Sequence, residues 1–363
     1  MKTLLITLDY PPQHGGVANY YANLVKNWPI DEIDVLDNNK RKLNNPKIPL
    51  LEWLPAFFSI FYKVLTGRYC HIIVGQILPI GTVVWLVAKV LNKKYTVVLH
   101  GMDLSLAFAH PRKKKIALKI LDNSENIICN SSYTAHQLQE KYEKYKNKIA
   151  VVHPGINPGE RTRFHEKEDE LKNKHSLDTK NVIFSLGRLV ERKGFDMLIQ
   201  AMPEVLEHVP NAHYYIAGEG PDKKRLEDII NELDEKSKQH VHMLGKASDE
   251  EKWAWLYHSK LFAMPARDID GDYEGFGIVY LEANLANKAV VAGRSGGIED
   301  AVIDYETGIL CDPDNPCDIA GAIIDLIKKN KLRKELSSYG RERAIEEFNW
   351  EKQARIFWSI ISK

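Results

Sequence analysis

Short apolar runs rich in β-branched residues alternate with longer stretches of helical period along the whole chain. In the first half KTLLITLD, HIIVG, YTVVLHG, NIICN and IAVVH read as strands; in the second VIFSLG, AHYYIAG, VHMLG, LFAMP and AVVAG read the same way. Between them NYYANLVKNW, GFDMLIQAMPEVLEHV and DKKRLEDIINELDEK carry the three-to-four-residue spacing of amphipathic helices. This alternation predicts an α/β protein with parallel sheets covered by helices on both faces. It occurs twice, interrupted by a polar, charge-dense stretch at 157–180 that reads as a linker. Two doubly wound domains are therefore expected, with ligands at the carboxyl ends of their strands. The last stretch, ERAIEEFNWEKQARIFWSIISK, reads as one helix with an apolar face.

Length and composition sharpen this picture only in places. A chain of 363 residues has room for two cores, and 44% hydrophobic with 27% charged residues is ordinary for a globular enzyme. The net charge of +1 points to no partner, but the halves differ. Residues 1–165 carry 22 Lys/Arg against 12 Asp/Glu, and residues 166–363 carry 28 against 37. Opposite signs suggest two domains with different clients. Cys70, Cys129, Cys311 and Cys317 are scattered without a CxxC pair, which argues against a disulfide framework or zinc site and suits a reducing cytoplasm. The start, MKTLLITLDYPP, lacks the apolar run and cleavage site of a signal peptide. Residues 72–88 are uncharged, yet Gly75, Gln76, Pro79 and Gly81 divide them into a short strand and a helix rather than a membrane span.

Three stretches carry chemistry. In DYPPQHGGVANYYANLV, Gly15 and Gly16 lie between a strand and a helix, where backbone N–H groups can approach an anion. A turn that merely needs glycine explains this loop equally well, and the GxGxxG dinucleotide fingerprint is absent. In FSLGRLVERKGFDMLI, Arg188 and Lys193 follow a strand around a bend ending at Gly194. Two cations there suit a diphosphate, and a solvated basic turn is the competing reading. In DYEGFGIVYLEANLANKAVVAG, Gly275 and Gly277 precede an apolar helix, forming a second anion cradle. Glu274 lies just before it and Glu282 eight residues on, so both carboxylates can face one cleft. Carboxylates beside a diphosphate make sense as acceptors from sugar hydroxyls.

At this point the sequence resembles the family 4 retaining glycosyltransferases, over nearly its whole length. The resemblance rests on the HGGV loop, LHGMD, CNSSYTAHQL, VVHPGI, GRLVERKG, AGEGP, LGKAS and EGFGIVYLEA, in the family's order. Within the family, DYPPQHGGVANY and ARDIDGDYEGFGIVYLEA look most like the GDP-mannose-dependent enzymes that make phosphatidylinositol mannosides. The resemblance implies the GT-B fold, two Rossmann-like domains facing across a cleft. The acceptor-side domain would be 1–165, with 340–363 packing back on it, and the nucleotide-sugar domain 166–339. It further implies that Arg188 and Lys193 hold the donor diphosphate, assisted by backbone amides of Gly275, Phe276, Gly277, Ile278 and Val279 and by Gly16. Glu274 would meet the transferred sugar, Glu282 the ribose, and the turn at Gly245 and Lys246 the base. His100, ending YTVVLH, would donate a hydrogen bond to the sugar, with Asp103 supporting its loop; a lone histidine is otherwise more often structural.

The resemblance also implies that no cofactor and no catalytic metal take part, the nucleoside-diphosphate sugar (GDP-mannose or a UDP-sugar) being the substrate. Asp268, Asp270 and Asp272 form a DxDxD run that a metal could use, but a solvated acidic loop or an acceptor contact is preferred. No carboxylate is identifiable as a covalent nucleophile, so front-face transfer is expected, with a leaving-group oxygen taking the acceptor's proton. A glycan or lipid-linked acceptor is expected as partner, and no nucleic acid. LEWLPAFFSIFYKVLTGR and HPRKKKIALKI combine aromatics with cations and suit an anionic membrane surface, at the inner face of the cytoplasmic membrane. The alternative, that Trp53, Phe57, Phe58 and Phe61 are core and the lysines merely solvated, stands equally open. Rival functions are a nucleotide-sugar epimerase or hydrolase on the same fold, or a non-catalytic sugar-nucleotide binding protein.

Overall fold

The computed structural model describes residues 2–13, 15–29, 32–44, 52–158 and 165–363, without the side chains of residues 40 and 165–167. His14 of the HGGV loop, Leu51 and residues 159–164 of the expected linker therefore lie outside the described residues. The chain forms two compact units, one of residues 1–155 with 350–363 and one of residues 156–349.

In the first unit β1 (Thr3–Thr7), β2 (Ile33–Asp37), β3 (His71–Val74), β4 (Lys94–Leu99), β5 (Asn126–Cys129) and β6 (Ile149–Val151) form one parallel sheet in the order β2-β1-β3-β4-β5-β6. Helices α1 (Gly16–Lys26), α2 (Leu54–Thr66), α3 (Ile80–Leu91), α4 (Met102–Phe108), α5 (Pro111–Asn123) and α6 (Ser132–Lys141) connect the strands. The uncharged run at 72–88 is thus a buried strand followed by a helix. Strand residues alternate between two buried faces. Leu4, Ile6, Ile72, Val74, Val97 and Leu99 enter one core. Leu5, Ile73, Val98 and Ile128 enter another, closed by Tyr20, Tyr21 and Leu24 of α1 and by Trp350, Ala354 and Phe357 of the C-terminal helix (Trp350–Ile361). Burial of one such aromatic is worth about 1.5–3 kcal/mol, which anchors the chain terminus to this unit.

The second unit repeats the plan with β7 (Asn181–Leu186), β8 (Ala212–Ala217), β9 (Val241–Gly245), β10 (Leu261–Met264), β11 (Val290–Gly293) and β12 (Gly308–Cys311), all parallel, in the order β12-β11-β10-β7-β8-β9. Its helices are α7 (His165–His175), α8 (Phe195–His208), α9 (Lys223–Glu232), α10 (Glu235–Lys238), α11 (Asp249–His258), α12 (Ile278–Leu285), α13 (Ile298–Ala301), α14 (Pro316–Lys328) and α15 (Asn330–Glu347). Strands β10, β11 and β12 are buried throughout, as doubly covered parallel strands must be.

Several expectations require correction. The stretch at 157–180 is no simple linker: α7 packs on α11 and buries Leu171, while Leu177 joins the same core. Two apolar residues in a charged stretch escaped notice because their neighbours mask the period. The boundary falls at 155/156 rather than 165/166. The terminal stretch is two helices, not one. Phe348 sits in the second unit's core and its carbonyl accepts from Ile156 N at 2.7 Å, so 340–349 stays with the second unit. DKKRLEDIINELDEK also breaks in two, because the Asp234 side chain accepts from Lys236 N and Ser237 N and so caps α10. Strands β2 and β12 were not foreseen, being an acid-bearing edge strand and a four-residue edge strand.

Candidate active site

In a parallel α/β sheet the crevice opens where the connections leave in opposite directions. In the second unit that point lies between β7 and β10, which are neighbours in the sheet. The loop after β7 carries Arg188, Arg192 and Lys193. It closes at Gly194, whose φ of 71° is left-handed and whose Cβ would collide with the Pro265 carbonyl, so a side chain here would push the loop off the end of β10. The backbone of Arg267, beyond β10, donates to the Arg192 carbonyl at 2.8 Å.

The two loops meet at Glu274. Its Oε2 accepts from Arg192 Nη1 at 2.6 Å and Lys193 Nζ at 2.5 Å, and Arg192 Nε reaches Asp272 Oδ1 at 3.1 Å. Burial by itself would raise the Glu274 carboxyl, but the charges of Lys193 and Arg192 overcome it and hold the group at about 2. Among the described residues no hydrogen bond or ion pair is made by its Oε1. The Glu274 backbone is also held, its carbonyl accepting from Gly297 N at 2.8 Å. Behind the loop, Asp196 Oδ2 accepts from Arg267 Nη2 at 2.7 Å and Arg225 Nη1 at 3.0 Å. Just past Glu274, Gly277 begins α12 in the left-handed region at φ 84°, with no side-chain cap and no acid in the first turn. The first N–H groups of α12 are therefore left for an anion.

Other expected residues lie differently. Arg188 is exposed, and its side chain meets no ion-pair or hydrogen-bond partner among the described residues. Glu282 does not share the Glu274 cluster: Oε1 is paired with Lys252 Nζ of α11 at 2.8 Å. Gly245 is left-handed at φ 75°, and Lys246 beside it lines a cavity of about 270 Å³ with Met243, Glu251, Lys174, His175 and Trp255. In the acidic run, Asp268 Oδ1 accepts from Gly271 N at 2.7 Å and Asp272 faces Arg192, so the loop bonds to itself and to a cation. No group of three or more His, Cys, Asp or Glu is placed to hold a metal ion among the described residues.

In the first unit the switch point lies between β1 and β3. Gln76 Nε2 donates to Asp9 Oδ2 at 2.9 Å and Thr7 Oγ1 at 3.1 Å there. His100, at the end of neighbouring β4, meets Tyr21 Oη through Nε2 at 2.8 Å. Asp103 Oδ1 accepts from the backbone N–H of His100 and of Leu104, both at 3.0 Å, which supports the loop as expected. Gly16 opens α1, and a Cβ there would meet nothing within 4 Å.

Arg192, Lys252 and Tyr21 were not foreseen. Arg192 adjoins Lys193 in ERKG, so that signal was available. Lys252 and Tyr21 come from distant helices with no local motif to mark them.

Burial holds His71, His100 and His242 at about 4 and His213 at about 3, all below the usual 6.5. The unfolded chain then binds more protons between pH 6.5 and these values, so stability is full above about 6.5 and falls with acid. Asp103, pushed up by burial to about 6, opposes this as one group against four. The urea midpoint should accordingly drop from pH 7.5 to pH 5; an unchanged midpoint would mean that these imidazoles titrate normally in the folded state.

Comparison with known proteins covers nearly the whole chain. A model described as Glycosyltransferase Family 4 matches residues 14–160, and one described as Glycosyl transferases group 1 matches residues 167–343. The chain is 26% identical to a GDP-mannose-dependent alpha-(1-6)-phosphatidylinositol monomannoside mannosyltransferase of Mycolicibacterium smegmatis, over 99% of this chain and 98% of that one. It is 28% identical to an uncharacterised glycosyltransferase of Methanocaldococcus jannaschii, over 97% and 95%. Among solved structures, Anabaena HepE in complex with UDP and glucose superposes with a TM-score of 0.81 at 18% identity, covering 100% of this chain and 99% of that one.

Proposed function

This chain belongs to the family 4 glycosyltransferases, of GT-B fold, and from that premise we propose that it moves a hexose from a nucleoside-diphosphate sugar to a glycan or lipid-linked acceptor, with retention at the anomeric carbon. The observation that carries the reading is the Arg192–Lys193–Glu274 cluster at the β7/β10 switch point, beside the open N-terminus of α12. An arriving diphosphate competes with Glu274 for Lys193 and lies against the N–H groups of α12. Arg192 stays with Glu274, whose free Oε1 accepts from a hydroxyl of the transferred sugar. Cations and helix N–H groups set against the developing negative charge of the leaving diphosphate, rather than a carboxylate nucleophile, then lower the barrier.

GDP-mannose is the donor we favour, because relatives matched over nearly their whole length are named for it, with UDP-glucose as the competitor. A thermal-shift panel of GDP-mannose, UDP-glucose and their bare nucleoside diphosphates tests this, since a donor at 100 times its Kd adds about 2.7 kcal/mol to stability. Transfer should survive excess EDTA, because cations and helix termini neutralise the diphosphate. No shift with any nucleotide sugar would end the reading; loss of transfer with EDTA, restored by magnesium, would return the 268–272 loop as a metal site.

We further propose that the first unit docks on an anionic membrane. Helix α2 is two-faced. Ala56, Ile60 and Val64 are buried and Trp53, Phe57 and Phe61 pack on the core, whereas Phe58, Tyr62 and Leu65 are 62%, 69% and 60% exposed. The aromatic segment thus divides between the two alternatives. Val90 of α3, which packs on α2, is exposed too, and α5 presents Arg112, Lys113, Lys114, Lys115 and Lys119 to solvent. Exposed apolar side chains on helices packed in a row with a basic helix match the interface of an anionic bilayer. No helix among the described residues is long and apolar enough to cross one. Flotation with anionic liposomes should fall as salt rises, since the Debye length shrinks to about 10 Å at 0.1 M. Phe58→Ser with Tyr62→Ser should weaken it at every salt concentration. Equal flotation with neutral vesicles would remove the electrostatic part.

A further inference from the structure

We propose that Tyr21 is a positioning residue that holds His100 in the tautomer with a proton on Nε2, so that His100 meets its substrate only as a hydrogen-bond acceptor, at Nδ1. The proposal rests on the reading that His100 faces the transferred sugar or the incoming acceptor, and it reverses the expectation that this histidine donates.

The argument is a count of protons. Tyr21 Oη lies 2.7 Å from the Gly75 carbonyl oxygen, which can only accept. A phenol has one proton, and that bond uses it. Toward His100 Nε2, 2.8 Å away, the same oxygen has only lone pairs to offer, so Nε2 must carry hydrogen. A neutral imidazole has one N–H, and Nδ1 is left with a lone pair and, among the described residues, no hydrogen-bond partner.

Four further contacts keep the arrangement from rotating away. The Tyr20 ring stands edge-on to the imidazole at 5.1 Å and 83°, and Tyr21 itself at 5.4 Å and 87°. Asp103 fixes the His100 backbone through its N–H. Tyr21 is in turn held by Gly75, where a Cβ would press on the Tyr21 ring at 2.9 Å. The charged state agrees: burial holds His100 at about 4, so it is neutral at pH 7. The partner at Nδ1 must therefore be a hydroxyl or another donor. A carbonyl, a fluorine or a phosphate oxygen in that place would face lone pair against lone pair.

The test uses the full chain labelled with ¹⁵N-histidine. Two-bond ¹⁵N–¹H correlation at pH 7 reads the tautomer, with His100 assigned by the signal lost in His100→Gln. The Nε2–H form is expected in the wild type, and an Nδ1–H wild type overturns the proposal without any variant. In Tyr21→Phe, which keeps the ring contact with Tyr20, the fixed tautomer should be lost. Its kcat with GDP-mannose or UDP-glucose, whichever is turned over, should drop about tenfold with little change in KM, as for one lost hydrogen bond. A Tyr21→Phe enzyme with unchanged tautomer and unchanged kcat removes Tyr21 from the role, even if His100→Ala is inactive. Wild-type turnover in His100→Ala would instead fell the reading beneath it, placing His100 away from the reacting groups.

Discussion

Replacing Lys193 with alanine should lower kcat about 10²–10³-fold, with the protein still folded. The size follows from losing one preorganised positive group where leaving-group charge develops, worth roughly 3–4 kcal/mol. Lys193 is buried, and its ammonium is held at 2.5 Å from Glu274 before any donor arrives, so little reorganisation is needed at the moment of reaction. The variant should also lose some stability, about 1.5–3 kcal/mol for a charged hydrogen bond, because Glu274 keeps Arg192. Arg188→Ala separates the two effects. Its side chain is exposed and has no partner among the described residues, so the urea midpoint should stay at the wild-type value, while kcat should fall by a similar factor if it holds the diphosphate. Steady-state kinetics and urea unfolding on both purified proteins decide the matter. Near-normal turnover in both would mean that the diphosphate lies elsewhere.

The two glutamates should part company when each is changed to glutamine. Glu274→Gln should reduce the chemical step and the discrimination between donor sugars while affinity for the bare nucleoside diphosphate stays the same or tightens, since glutamine no longer competes for Lys193. Its carboxylate is what the paired cations hold in place, and Oε1 is the atom left to meet the sugar. Glu282→Gln should weaken bare diphosphate and full donor alike, by about 1.5–3 kcal/mol, as expected for a lost charged hydrogen bond to the ribose. The structure adds a control, since Glu282 is engaged by Lys252. If Glu282 matters only through that pair, Lys252→Met will reproduce the loss, and the ribose contact is unnecessary. Calorimetry with GDP and UDP separates these outcomes. Weaker diphosphate binding in Glu274→Gln but not in Glu282→Gln would reverse the proposed orientation of the donor along α12.

The sequence by itself determined the class of the protein, because parallel strands buried on both faces must be written as short continuous apolar runs. VIFSLG, LFAMP and AVVAG could hardly be anything else once helices of clear period lay between them. It also marked the loops, since Gly194 and Gly277 stand where only glycine fits the backbone. It misjudged the edges. Edge strand β2 is only half-buried and carries acids, β12 is only four residues long, and Leu171, which ties α7 to the second unit's core, sits alone among charged neighbours. What only the tertiary structure decided is which charges meet. Arg192 and Lys193 reach Glu274 across about 80 positions of chain, Lys252 reaches Glu282 from another helix, and Tyr21 reaches His100 from α1. Ion pairs and hydrogen bonds act over a few ångströms, while sequence distance carries no record of them. The protonation state of His100 is therefore a property of the sheet that brings Gly75, Tyr21 and β4 together, and of no segment taken alone.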